Sequence, residues 1–70
     1  MVMIEQIQQR LSEVIKQSGY SQTELAKRLG VRQQTISHYV KGNILPSLDT
    51  LANLCIILDI SSDYILGIDK

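Results

Sequence analysis

Four polar side chains share one face of a predicted helix in the middle of the chain. They are Gln34, Ser37, His38 and Lys41, at positions i, i+3, i+4 and i+7. Positions at this spacing line up along one side of an α-helix. Their groups donate and accept hydrogen bonds at the end of short or medium-length side chains, as the side chains that read base edges in the major groove of DNA do.

The opposite side of this helix is apolar, because Ile36, Tyr39 and Val40 occupy the intervening positions. The polar face is therefore not needed for packing. A solvated helix face is the ordinary explanation for such residues, and glutamine is a common helix former. Two adjacent glutamines, Gln33 and Gln34, at the helix entrance favour contact with bases instead.

The elements that position this face are predicted to be helical throughout. Apolar residues at helical spacing predict a first helix over about residues 3–17. A second helix begins at a Ser21–Glu24 capping box and ends at Gly30. The third helix, over about residues 32–41, is followed by Gly42. No segment alternates with the period of a strand for long.

Two further helices complete the prediction. Ser47 is expected to cap a fourth helix, with an apolar face formed by Leu48, Leu51, Ala52, Leu54, Cys55 and Leu58. Ser61 caps a short fifth helix that stops at Gly67. The fold class is all-α, a compact five-helix bundle in which helices 2 and 3 form a helix-turn-helix.

Length and composition limit the classes of protein to which this chain can belong. Seventy residues make one domain, here residues 1–70, and the single cysteine excludes a disulfide and a cysteine-built metal site. The N-terminus lacks the pattern of a signal peptide, and no apolar run is long enough to span a membrane. We expect a cytoplasmic protein.

Charge is segregated along the chain although its net value is zero. Between Leu25 and Leu48 all the charged residues are basic: Lys27, Arg28, Arg32 and Lys41. A neutral domain can still present a positive face to nucleic acid. No nucleophile–base pair, metal-ligand spacing or glycine-rich phosphate loop occurs, so we expect no enzyme, no metal, no cofactor and no small-molecule substrate.

Nearly the whole chain resembles a lambda-repressor-like (XRE, Cro/phage-repressor type) helix-turn-helix DNA-binding domain. The residues that carry the resemblance are Gly19, Ser21–Ala26, Leu29–Val31, Thr35–Ser37, Gly42, Pro46–Ser47, Thr50–Leu51, Ile60–Ser61 and Asp63–Gly67. The resemblance implies that the third helix enters the major groove and that the second lies across the DNA backbone.

Site residues follow from the same resemblance, position by position. It implies base contacts from Gln33 and Gln34, and contacts to bases or sugar-phosphate from Ser37 and His38. It implies phosphate or backbone contacts from Gln22, Lys41 and Asn43. Arg32 could reach guanine or phosphate.

Three features, at four positions, depart from the family pattern. Arg32 stands where the family has a small helix-capping residue, so the first turn of helix 3 lacks a side-chain cap. Ile15 and Val40 replace a buried arginine–glutamate ion pair, and we predict that they touch. Asp59 stands where Gly or Asn is common and would have to adopt a left-handed conformation.

The resemblance also implies a homodimer on a pseudo-palindromic operator. We expect its contact among the apolar residues Ile44, Leu45, Ile56, Ile57 and Ile68, because at least one of the two adjacent isoleucines should be exposed. The leading hypothesis is a sequence-specific regulator of transcription, most simply a small repressor. Two alternatives are a protein-interaction or antitoxin module, which the zero net charge favours, and the DNA-binding domain of a longer regulator.

Overall fold

Apolar residues at helical spacing form five α-helices in the computed structural model, which describes residues 1–68. They are α1 (Ile4–Gln17), α2 (Gln22–Leu29), α3 (Gln33–Lys41), α4 (Leu48–Leu58) and α5 (Ser62–Leu66). The described residues contain no strand, so the predicted all-α fold class is confirmed. Helix α1 packs against α3 and α5, and α2 packs against α3 and α4. Helix α3 is thereby held on two sides.

One cluster of buried side chains holds the helices together. It contains Leu11, Val14, Ile15, Leu25, Ala26, Ile36, Tyr39, Leu51, Leu54 and Ile65. Every helix contributes to this cluster. Since a chain of this length buries only about 60% of its unfolded surface, each large member of the cluster carries a substantial share of the stability.

Two apolar residues of α4 do not belong to the core, contrary to prediction. Leu48, which we expected on the buried face of α4, is 86% exposed. Ala52, placed on the same face of α4, is also exposed. Helical spacing alone assigned these residues to the core, but spacing does not show whether another element covers that part of a helix.

Helices α3 and α4 both end in a left-handed residue, as predicted. Gly42 has φ 75°, and its N–H and that of Asn43 donate to the carbonyls of Tyr39 and His38. These two bonds make the Schellman arrangement. Asp59 has φ 53°, the one positive φ outside glycine among the described residues. The family's Gly or Asn is thus replaced by a residue that pays some steric strain there.

The predicted Ser47 cap of α4 is wrong, and the predicted Ser21–Glu24 capping box of α2 is confirmed in only one of its two hydrogen bonds. Ser47 precedes α4, but its hydroxyl donates to Asp49 Oδ1 at 2.6 Å instead of accepting from a helix amide. This bond, with backbone N–H groups, lowers the pKa of the Asp49 carboxyl. Ser21 does accept from the Glu24 amide, at 3.1 Å, but the Glu24 carboxylate pairs with Arg28. The reciprocal half of the capping box is therefore replaced by an i, i+4 ion pair.

Ile15 and Val40 both lie on the inward side of the bundle. Ile15 is buried, and Val40 is half-buried and packs against the same cluster. Neither side chain simply faces solvent, which was the alternative to an apolar replacement of the ion pair. Their direct contact stays a prediction.

Candidate nucleic-acid interface

Helices α2 and α3 are joined by a three-residue turn and pack directly on each other. The turn is closed by the N–H groups of Gly30 and Val31, which both donate to the Ala26 carbonyl, at 2.9 and 3.0 Å. Leu25 and Ile36, both with no exposed surface, lie in the core behind the two helices. This packing fixes α3 relative to α2 and leaves one side of α3 uncovered.

The uncovered side of α3 carries the polar face predicted from the sequence. Gln34, His38 and Lys41 are exposed and Ser37 is half-buried, whereas Ile36 and Tyr39 on the other side are buried. The predicted division of this helix into a polar and an apolar side is confirmed. Contact of the polar side with DNA stays a prediction.

Gln22 and Gln33 connect the beginnings of the two helices. The Gln33 amide Nε2 donates to Gln22 Oε1 at 3.2 Å, and the pair lies at the surface. Gln22 is the first residue of α2 and Gln33 the first of α3. A hydrogen bond between them fixes the Gln33 side chain and leaves donor and acceptor capacity on both amides for a ligand.

Arg32 precedes α3 without capping it, as predicted. Its side chain makes no capping hydrogen bond. The first turn of α3 begins with a backbone hydrogen bond, in which the Thr35 N–H donates to the Arg32 carbonyl at 3.0 Å. N–H groups in the first turn of a helix lack partners unless a side chain, water or ligand supplies them. Arg32 is exposed and directly precedes those N–H groups in the chain. A basic residue at a helix start with free N–H groups is suited to a phosphate.

The basic residues of the segment between Leu25 and Leu48 are all exposed. They differ in what surrounds them. Arg28 lies 3.2 Å from the Glu24 carboxylate and stacks over the Tyr20 ring at 4.9 Å. Among residues 1–68, Arg32 makes no ion pair. The charge of Arg32 is therefore more available to a ligand than that of Arg28.

Tyr39, on the apolar side of α3, is buried, with only 4% of the residue exposed. Burial raises the pKa of its phenol, so the hydroxyl stays neutral at physiological pH. Tyr39 serves mainly to hold α3 against the core.

Helix α1 holds the end of α3 through two polar residues that sequence reasoning missed. The Ser12 hydroxyl donates to the Val40 carbonyl at 2.7 Å, and Gln8 Nε2 donates to the Gly42 carbonyl at 3.0 Å. Ser12 is the one buried polar residue in the described part of the chain. Its position next to Leu11 and three residues before Ile15, on the inward side of α1, is the signal that could have revealed it.

Asn43 lies beside His38. The Asn43 Nδ2 and the His38 Nδ1 are 3.2 Å apart, and both residues are exposed. The predicted backbone-contacting residue thus also touches a predicted base-contacting residue.

Within residues 1–68, no three His, Cys, Asp or Glu side chains lie close enough to hold a metal ion. Cys55 is half-buried, and burial raises the pKa of its thiol, which favours the protonated form. None of the helices in the described region is both long and apolar enough to cross a membrane.

Proteins with similar sequences are named as HTH-type transcriptional regulators. The chain is 36% identical over 61 residues to the HTH-type transcriptional regulator ImmR of Bacillus subtilis, covering 87% of this chain and 48% of that protein. It is 38% identical over 58 residues to the SPbeta prophage-derived uncharacterized HTH-type transcriptional regulator YonR of the same organism, covering 83% and 54%. It spans about half the length of these curated relatives.

A solved structure agrees with the sequence relatives. The solution structure of the SOS-response transcriptional repressor LexA from Eubacterium rectale superimposes with a TM-score of 0.79 at 25% identity, over 90% of this chain and 67% of that one. A family profile described as helix-turn-helix matches residues 11–65. That range holds the second half of α1, all of α2, α3 and α4, and α5 except its last residue. The chain therefore belongs to the XRE-type helix-turn-helix family of transcriptional regulators.

Proposed function

We propose that this chain is a sequence-specific double-stranded DNA-binding domain that represses transcription by occupying promoter DNA. Helix α3 lies in the major groove, where Gln33, Gln34, Ser37 and His38 face the bases. Gln22, Arg32, Lys41 and Asn43 face the phosphate backbone. Residues 1–70 act as one domain, in the cytoplasm, without a cofactor.

One observation supports this proposal most strongly. The exposed side of α3 is polar along its full length and ends at the basic Lys41, while its other side is fixed to the core through Ile36 and Tyr39. A helix that is fixed on one side and exposes polar side chains on the other has the shape and the chemistry to enter a major groove. The names of the relatives, HTH-type transcriptional regulators, agree with this role.

Selection of bound sites from a random DNA pool tests the proposal. We expect the selected DNA to share one sequence, which the protein binds at least about 10³-fold more tightly than random DNA. Equal affinity for all sequences would reject sequence-specific binding. Absence of DNA binding would instead favour the protein-interaction or antitoxin module.

Gln34→Ala tests the base-reading role. Glutamine can donate and accept together at adenine, so we expect the variant to lose about 1–3 kcal/mol of preference at one base pair of the selected site. Competition binding with single-base variants of that site measures this loss. An equal loss of affinity on random DNA would show that Gln34 only positions the protein.

We further propose a homodimer that binds two half-sites about one helical turn apart. The apolar residues expected at its contact are exposed with one exception: Ile44, Leu45, Ile56 and Ile68 face solvent, whereas Ile57 packs against the core. Ile57 is therefore removed from the predicted contact, because it lies three residues from the buried Leu54 on the same side of α4. The exposed Leu48 takes its place.

The dimer contact is supported by a groove beside Leu48. The groove has a volume of about 130 Å³ and no charged residue lines it; its walls include Leu45, Pro46 and Leu51. An exposed leucine next to an apolar groove allows two copies to fit together symmetrically, each filling the groove of the other.

Leu48→Ser tests the dimer. Since burying a leucine contributes about 1.5–3 kcal/mol, we expect the dimer dissociation constant from equilibrium sedimentation to rise at least about tenfold. Gln17→Ser, at the exposed end of α1, is the control and leaves the constant unchanged. A wild-type protein that is monomeric at every concentration and binds one per DNA site would contradict the proposal.

A further inference from the structure

The side chain of Asn43 has a specific place beside the base-facing histidine. Its Nδ2 lies 3.2 Å from Nδ1 of His38, within hydrogen-bond distance. Among residues 1–68 this is the one polar contact of the His38 ring. The far ring nitrogen, Nε2, is left for a ligand.

The backbone holds Asn43 in this place. After α3 ends at Gly42, the Asn43 N–H donates to the His38 carbonyl at 3.0 Å. The Asn43 backbone is therefore anchored to His38 by the helix end itself, whatever the side chain does. A substitution at position 43 can remove the side-chain contact and keep the helix end intact.

The orientation of the Asn43 amide in this contact sets which ring nitrogen of His38 carries the proton. The Nδ2 group of asparagine can only donate, so the Nδ1 atom that faces it must accept and carries no hydrogen. In a neutral imidazole the proton is then on Nε2. A rotated amide would present Oδ1 and reverse both roles, so the position of the proton is an observable that distinguishes the two arrangements.

We propose that Asn43 is a positioning residue that fixes His38 as the Nε2–H tautomer and so sets its base preference. An Nε2–H donor matches guanine, which offers two acceptors in the major groove. It mismatches cytosine, which offers only the N4 donor. The base preference rests on the proposed DNA-binding function, whereas the tautomer is a property of the free protein.

Nitrogen NMR of the free protein tests the tautomer. His38 is the only histidine of the chain, so a long-range ¹H–¹⁵N spectrum of untagged protein shows one imidazole. At a pH above the range in which histidine titrates, we expect an unprotonated Nδ1 and a protonated Nε2. Asn43→Ala gives averaged signals from both tautomers, and Asn43→Asp moves the proton to Nδ1. Asn53→Ala, at an exposed asparagine of α4, leaves the spectrum unchanged.

Two spectra would overturn the proposal. One is a wild-type ring protonated on Nδ1, and the other is an identical tautomer ratio in the wild type and Asn43→Ala. Either result stands without any DNA, so it is independent of the proposed function.

Site selection with Asn43→Ala tests the consequence for DNA. At one position of the selected site, we expect the preference for guanine over cytosine to fall about 2- to 10-fold, the value of one hydrogen bond. An unchanged preference would overturn the role in specificity even where the tautomer is as expected. A wild-type protein that selects no DNA would overturn the proposed function, while the NMR result alone decides the role of Asn43.

Discussion

Ile36→Ala is expected to lower the free energy of unfolding by about 2–5 kcal/mol. Ile36 has no exposed surface and belongs to α3, so the substitution leaves a cavity on the buried side of that helix, opposite its exposed polar side. A chain of 70 residues has a total stability of only about 4–10 kcal/mol. A large fraction of the variant is therefore expected to be unfolded, or α3 to be loosened enough to lose DNA.

Urea denaturation followed by circular dichroism measures this effect. Ile36→Val, which removes one methylene, is expected to cost about 0.5–1.5 kcal/mol and gives a graded series. Gln34→Ala is the control on the exposed side of the same helix and leaves stability nearly unchanged. An Ile36→Ala protein as stable as the Gln34→Ala protein would show that the core does not depend on this contact.

The second large effect is the loss of DNA affinity with salt. In the proposed complex Arg32 and Lys41 of two protomers neutralise about four phosphates, which gives a slope of log affinity against log salt of about −3.6. Raising monovalent salt from about 50 to about 200 mM then weakens binding roughly 100-fold. Fluorescence anisotropy with a labelled operator measures the slope.

Two arginine variants provide a matched comparison for this slope. Arg32→Ala removes a guanidinium with no ion pair among the described residues, and we expect the slope to fall in magnitude by about one per protomer. Arg28→Ala removes the same charge from a residue already paired with Glu24, and the slope should change less. Equal slopes for Arg32→Ala and the wild type would remove Arg32 from the DNA contact.

Local signals in the sequence predicted most of this fold. The ends of helices α3 and α4 could be predicted because they are set by the conformation of single residues, Gly42 and Asp59. The division of α3 into two sides followed from its spacing alone. The prediction that Leu48 is buried was wrong, because spacing defines a face of a helix but does not show whether a neighbouring element covers its first turn.

The site was less predictable than the fold, for a physical reason. The contacts Ser12–Val40 and Gln8–Gly42 join residues 28 and 34 positions apart, and no local preference records such a pairing. The Asn43–His38 contact is local, yet it needs the left-handed Gly42 to bring the two side chains together. Side-chain identities therefore predicted which side of α3 is exposed, and the structure was needed to show what holds each residue in place.

The hydrogen bonds from helix α1 to the end of α3 affect how the salt dependence of DNA binding is interpreted. The bonds from Ser12 and Gln8 are hydrogen bonds between uncharged groups, and the apolar Ile15 and Val40 lie on the inward side of the bundle. Neither counterions nor protons compete for neutral bonds of this kind. In the proposed complex, a salt titration therefore measures the protein–DNA contacts and not a change in the position of α3.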